Sequence, residues 1–456
     1  MLFSRYRYLI YEVSIPAAGS NYDLITYFTG FYARMSKPME KSTPIFHTTY
    51  PDNPNKSIIN DCMDKLSKAV VEKNMPFAVM VGDHPVYKLI VELKSENPLK
   101  YSKLLPFIDP FHAQMSFIHC MYKRFKGSGL DDVLVASGVI AEGSCDHTLR
   151  GGHHNRCVRC LRLFYETLIH HALNKRLEGT VLSEEVKSNL KKLRELEGVE
   201  ELREAYTNLE DSKEIQGLVD TLLRDCSDSD HATYFESFME MVELLTQNIH
   251  SLRTQNWEEF KTSLKLMRPW MRSYGADKYG RTLPDFCAVL DSLPDEQEAF
   301  FARGMFAQSI TGNPYSGVAL QIWIESTMNK GSKLKNGRRA ILNNEKQLTS
   351  AVQNANNVNR IRGIVLRQAN QKKYKTKHAD FSKARIKKDE KAVQDMSDCL
   401  KEFGTDPFDL SNTQLRSLQS SLPASDELLK DFKSAKHDGE KWVEEFTDRC
   451  VYSKEG

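Results

Sequence analysis

The pattern of apolar and polar positions is clearest between residues 57 and 126. Phe77-Ala78-Val79-Met80-Val81 is a short apolar run stopped by Gly82-Asp83. Its length and branched content predict a strand buried on both faces. Upstream, Ile58, Cys62, Leu66, Ala69 and Val70 recur at helical spacing, which predicts a helix over 57–73 capped by Asn55 or Ser57. Tyr6 to Ile15 and Pro44 to Tyr50 read as strands, and Asn21 to Met35 as a helix. The strand–helix–strand order around 44–81 predicts a parallel pairing with a right-handed crossover. Downstream, Val86 to Ser95, with Pro85 in its first turn, and Phe111 to Phe125 read as helices. Val133 to Ile140 fits a strand or a buried helix.

The pattern then changes. From Cys157 to about Trp270 the chain is helical and amphipathic almost throughout. Phe235, Phe238, Val242, Leu245, Ile249 and Leu252 mark one helix face, and Trp257, Phe260, Leu264 and Met267 another. Residues 183–226 are helical but highly charged and read as a partly solvated arm. Residues 283–308 hold two short helices, and 318–330 runs from apolar to polar. Ser411 and Ser425 each read as the start of a C-terminal helix. The fold class is therefore α/β but predominantly helical. An α/β core over residues 1–145 is followed by a helical insertion over 146–310, a second core part over 311–360, a basic segment over 361–395 and a helical tail over 396–456.

Composition narrows the function classes. The chain has 456 residues, 40% of them hydrophobic, so it can build a sizeable core. A formal net charge of +2 provides no global field for nucleic acid or membrane. Basic charge is local: Lys372, Lys373, Lys375 and Lys377, then Arg385, Lys387 and Lys388. These seven residues form a candidate nucleic-acid contact, or a solvated charged helix. Nine scattered cysteines, no secretory signal and no membrane-length apolar run point to an intracellular protein with reduced thiols.

Four constellations could carry chemistry. Asp83 ends the apolar run at the sheet edge where α/β folds place ligands; it is either a metal-binding carboxylate or a helix N-cap. Glu325 and Asn329 are four apart on one helix face, where they could join Asp83 around a hard cation or form a solvated surface. His112, at a helix start, lies seven residues before His119 and could act as a ligand or an acid. Cys145, His153, Cys157 and Cys160 form a zinc alternative, although Val158, Leu161 and Phe164 put Cys157 and Cys160 beside a buried stripe.

Six blocks read together: GDHPVYKL from Gly82, PFHAQMSFI from Pro110, GSGLDDVLVASGVIAEGS from Gly127, LRGGHHNRCVRCLRL from Leu149, NWEEFKTSLKLMRPWM from Asn256 and WIESTMNKGSKLKNG from Trp323. In this order they resemble the domain-of-unknown-function family sixty-five eighty-nine of transposon-like genes. The resemblance implies a ribonuclease-H-like core of the DDE-transposase kind, with Asp83 as the second acid, Glu325 as the last, and a helical domain between them. It implies two Mg²⁺ ions for in-line attack on a phosphodiester, DNA as partner and a nuclear location. The match is incomplete. Gln321 stands where the family's first acidic position falls in the Trp323 block. The expected first Asp is missing, Asp23 being the nearby candidate, so the core is expected to lack its initial strands and the metal site to be incomplete. The alternative is a non-catalytic DNA- or protein-binding scaffold using the helical domain and the basic segment.

Overall fold

The computed structural model describes residues 27–42, 54–177, 181–196, 198–226, 228–275, 278–309, 311–325, 382–409, 411 and 413–452. Helices α1 (Phe28–Met35) and α2 (Lys56–Glu72) precede strand β1 (Ala78–Gly82). Then come α3 (His84–Glu96), β2 (Leu104–Ile108), α4 (Pro110–Phe125), α5 (Leu130–Ala136) and α6 (Glu142–His147). The helical body follows: α7 (His154–Leu177), α8 (Glu184–Glu195), α9 (Val199–Glu210), α10 (Lys213–Cys226), α11 (Asp230–Thr254), α12 (Trp257–Ser273), α13 (Tyr279–Asp291) and α14 (Asp295–Ala302). Helices α15 (Leu320–Ile324), α16 (Lys383–Phe403) and α17 (Asp426–Tyr452) complete the described chain. The fold is predominantly helical with one small sheet. No helix among the described residues is long and apolar enough to cross a membrane.

The apolar run at 77–81 forms β1, but its middle three residues are only half-buried. Its parallel partner is β2, paired in register from Ala78↔Leu104 to Gly82↔Ile108. The pairing expected with the segment at 44–50 lies outside the described residues, as does the segment at 6–15. The unit is still β1–α3–β2, strand, crossover helix and parallel strand. The described sheet has two strands only, so a ribonuclease-H-like core is not formed by the described residues. The segment at 133–140 resolves as helix α5. Gly129 precedes it at φ +87°, and a Cβ there would lie 2.8 Å from the Leu418 nitrogen.

β2 is buried along its whole length, and Phe107 ties it to the helices. The Phe107 ring is 5.0 Å from Phe286, 5.3 Å from Phe301 and 6.1 Å from Phe260. This aromatic cluster fixes the sheet against α12, α13 and α14 and so fixes what stands at its edge. The charged stretch 183–226 is not simply a solvated arm. Leu190, Leu193, Leu202 and Leu209 are buried with Phe31 and Tyr206 in a satellite core of their own. No helix begins after Ser411: Asp409 Oδ1 accepts from the Ser411 nitrogen, and Arg416 bridges to Pro423 instead. Ser425 does precede a helix, and its Oγ accepts from the Leu428 nitrogen at 3.2 Å.

Helix α17 lies along α12. Gly439 permits the approach, since a Cβ there would sit 2.3 Å from the Pro269 carbonyl oxygen. Beneath this contact Arg124 is 2% exposed. Its guanidinium is 4.9 Å from the Trp270 ring, 5.4 Å from Tyr234 and 5.3 Å from Phe432, and donates to Ser237 Oγ and the Tyr274 hydroxyl. A cation closed in by aromatic faces keeps its charge partly solvated by their quadrupoles.

Candidate functional site

Both strands end in the same way. Gly82 is followed by Asp83 and a Pro85-led helix; Ile108 is followed by Asp109 and a Pro110-led helix. Because Gly82 and Ile108 are register partners, the two aspartates emerge side by side at the C-terminal edge of adjacent strands, about 4.8 Å apart in backbone spacing. The Asp109 nitrogen donates to the Gly82 carbonyl at 2.8 Å, which holds the two turns together. Gly82 is required at the first turn, since a Cβ would lie 2.6 Å from Val86 Cγ1 and 3.0 Å from the Tyr87 nitrogen.

Each aspartate caps its helix. Asp83 Oδ1 accepts from the Val86 nitrogen at 3.2 Å. Asp109 Oδ2 accepts from the His112 nitrogen at 2.9 Å and lies 2.8 Å from His112 Nδ1. Asp109 is fully buried, yet its Oδ1 has no hydrogen-bond partner. Buried polar atoms are rarely left so, and each orphan costs about 1–3 kcal/mol.

His112 is held by Asp109 and lies within the electrostatic reach of Asp83 and Glu325. Burial lowers its pKa, but the hydrogen bond that Asp109 accepts from it and the charges of Asp109, Asp83 and Glu325 outweigh that effect and raise the imidazole above its ordinary value. Glu325, just beyond α15, therefore acts on the same ring as the strand-end aspartates. Its approach is set by the segment before it. Gln308 and Val318 exchange backbone hydrogen bonds of 2.8 and 2.9 Å, and a Cβ on Gly317 would meet the Leu252 carbonyl at 1.9 Å. Tyr279 completes the group: its hydroxyl accepts from the His84 nitrogen at 3.2 Å. Burial and then the charges of Asp109 and Asp83 push its phenol up, against the lowering effect of the His84 bond. His84 is held below its ordinary value by burial and by Lys278 and Lys88.

A buried polar relay runs from this edge into the helices. His154 Nε2 is 3.1 Å from Gln114 Oε1, Gln114 donates to Asn248 Oδ1 at 2.9 Å, and Asn248 donates to Ser263 Oγ at 2.9 Å. Behind it lies a cavity of about 350 Å³, within the range of ligand pockets. Arg159, Arg162, Arg253 and Arg385 line it against a single acidic side chain, Asp389.

Of the residues the sequence singled out, Asp83 follows the strand end beside that of Asp109, His112 is bonded to Asp109, and Glu325 is linked to them only through its charge on the His112 ring; Asp109 and Tyr279 were passed over in the sequence. A signal for Asp109 was present: the repeated order apolar run, Asp, Pro, helix. Asn329, Asp23, Lys372, Lys373, Lys375 and Lys377 lie outside the described residues. Arg385, Lys387 and Lys388 stand on α16, Lys387 and Lys388 exposed and Arg385 paired with Asp389 at 3.1 Å. Cys145, Cys157 and Cys160 are buried free thiols in the main core. Burial pushes the Cys145 thiol up to about 11 and raises Cys157 and Cys160 as well, opposite to what zinc ligation needs. His153 packs its ring 5.1 Å from His147. Among the described residues no group of three or more His, Cys, Asp or Glu side chains is arranged to hold a metal ion.

Nothing among curated proteins and nothing among solved structures matches the chain. A family model does match, and it corrects the resemblance drawn from the six sequence blocks: it is not family sixty-five eighty-nine, and nothing in the match relates the chain to transposases. The model covers residues 29–454, nearly the whole chain, and the protein belongs to the family described as Domain of unknown function (DUF8702).

Proposed function

We propose that the edge formed by Asp83, Asp109, His112 and Glu325 is a divalent-cation-dependent site for cleaving nucleic-acid phosphodiesters. One observation carries the reading: two aspartates follow in-register strand ends, one of them holds the His112 ring, and its other, fully buried oxygen, Asp109 Oδ1, lacks a partner. Hard carboxylate oxygens suit Mg²⁺, and an orphaned oxygen is a group a cation would satisfy. Mg²⁺ bound there would neutralise phosphate charge and lower the pKa of an attacking water. Asp109 orients the His112 ring through Nδ1. The other nitrogen, Nε2, makes no hydrogen bond among the described residues, and the side chain is 31% exposed. Its raised pKa suits it to donate a proton to the leaving oxygen. A nucleic-acid substrate carries with it a nuclear location and a contact for Arg385, Lys387 and Lys388.

The test is cleavage of labelled single- and double-stranded DNA and RNA with Mg²⁺ or EDTA, by wild type, Asp83→Asn and Asp109→Asn. Cleavage that needs Mg²⁺ and both carboxylates is expected. Activity equal in all three proteins removes the reading.

The absence of a three-ligand metal group among the described residues favours a second reading, a non-catalytic DNA- or protein-binding scaffold. Salt-dependent DNA binding without cleavage, lost when residues 360–391 are deleted, is its signature.

A further inference from the structure

We infer that the arginine-lined cavity beside the carboxylate edge is an anion-binding subsite that holds a flanking phosphate of the nucleic-acid strand. The inference rests on the phosphodiester reading above. Three independent observations support it. The cavity measures about 350 Å³, enough for a phosphate with part of its sugar. Its lining is strongly cationic, four arginines against Asp389 alone. Asp389 is engaged by Arg159 Nε at 3.0 Å and by Arg385 Nε at 3.1 Å. Arg162 by contrast has no carboxylate partner among the described residues and donates only to Thr29 Oγ1, at 2.7 Å. The Arg162 guanidinium, with no acid beside it among the described residues, leaves positive charge in this wall that a bound anion would neutralise. Finally, Thr246 lines the same cavity, is 3% exposed, and its Oγ1 has no hydrogen-bond partner. A phosphate oxygen would accept from it.

The cavity adjoins the proposed reaction centre. The Phe111 ring is 5.2 Å from both His112 and His154, one on each side of the boundary. Ile322, on α15 just before Glu325, is also on the wall. A strand whose diester sits at the carboxylates would thus place a neighbouring phosphate among the arginines.

The experiment measures binding with no metal and no turnover. Inorganic pyrophosphate is titrated calorimetrically into wild type, Arg162→Gln and Thr246→Val in EDTA at low salt. A short labelled oligothymidylate is then competed with pyrophosphate. Unchanged circular dichroism shows that the variants are folded. Arg162→Gln is expected to weaken pyrophosphate about tenfold or more, the loss of one charged hydrogen bond, and Thr246→Val about fivefold. Oligothymidylate affinity is expected to fall in parallel and to weaken with salt. Pyrophosphate affinity equal in the three proteins, or no binding at low salt, overturns the inference. Arginine-dependent pyrophosphate binding that oligothymidylate does not compete for assigns the cavity to a small phosphate-bearing molecule and overturns the strand assignment. Arginine-dependent binding without Mg²⁺-dependent cleavage fells only the catalytic reading; cleavage without it fells only this one.

Discussion

Asp109→Asn separates what this carboxylate does for folding from what it does for chemistry. The group is fully buried, and Oδ2 takes two N–H groups of His112 while Oδ1 takes none. An Asn at this position keeps one oxygen to cap α4 and exchanges one orphan atom for another. What leaves is the charge. The charged bond to the imidazole becomes a neutral one, a loss of about 1–1.5 kcal/mol. Against that, the penalty for holding a buried ion, several kcal/mol, is removed. The net is a gain of about 1–3 kcal/mol. Unfolding entropy is about 2.1 cal/mol/K per residue, hence about 1 kcal/mol/K for 456 residues. The thermal midpoint is therefore expected to rise by about 1–3 °C. Mg²⁺ at a hundredfold excess over its dissociation constant would add about 2.7 kcal/mol, or about 3 °C, to wild type and nothing to the variant. Melting curves with Mg²⁺ and with EDTA read both effects. Asp109→Leu, which also removes the cap, is the control and should lose about 0.5–2 kcal/mol of cap energy. A variant that melts several degrees lower in EDTA while keeping the Mg²⁺-induced rise would refute the site, because the carboxylate would then be structural.

Phe107→Ala removes the ring that joins β2 to α12, α13 and α14 and should cost about 3–5 kcal/mol, or about 3–5 °C; Phe107→Leu, which keeps most of the volume, should cost roughly a third as much by the same melts. The His112 ring, followed by NMR, should titrate above the ordinary histidine value in wild type and lower in Asp109→Asn. Its raised native pKa means that its contribution to stability is fully present below pH about 6.5 and is lost as pH rises through the native value, so acidification to that point should stabilise wild type relative to His112→Gln. Asn248→Ala orphans the buried Gln114 amide, while the Ser263 hydroxyl keeps its bond to the Phe260 carbonyl, and should destabilise by about 1–3 kcal/mol; a change within about 0.5 kcal/mol in a chemical melt would deny the relay its role. Gly82→Ala forces a Cβ into Val86 and the Tyr87 nitrogen and should abolish metal-dependent activity before it unfolds the protein, seen as lost turnover with retained helical circular dichroism.

The helices were largely legible because each buries one stripe. Lys56–Glu72, His84–Glu96 and Pro110–Phe125 fall within a residue or two of the positions that spacing predicts. β2 was not legible. Leu104-Leu105-Pro106-Phe107-Ile108 is five residues long and carries a proline, which ordinarily argues against a paired strand. With β2 missed, nothing in the sequence reading singled out Asp109 as the end of a strand. The expected helix after Ser411 failed for a tertiary reason: Leu418 donates its backbone N–H to the Ser128 carbonyl at 2.8 Å, so the segment is spent on long-range pairing. Of the two roles the sequence left open for Asp83, the N-cap is the one its hydrogen bond displays, one oxygen capping α3. The arginine cavity left no local trace, because its walls come from segments that only the fold assembles.

The enclosure around Arg124 bears on how the chain is made. Phe432 forms one of its walls, about 300 residues after the arginine it covers. At a synthesis rate of roughly 5–20 residues per second, the guanidinium waits about 15–60 s for that wall to leave the ribosome. Tyr234 and Trp270, made partway through that interval, then have apolar faces with no lid until Phe432 follows. The enclosure therefore closes late in synthesis, and a chain that has not yet reached Phe432 is the form in which these faces are most exposed to self-association.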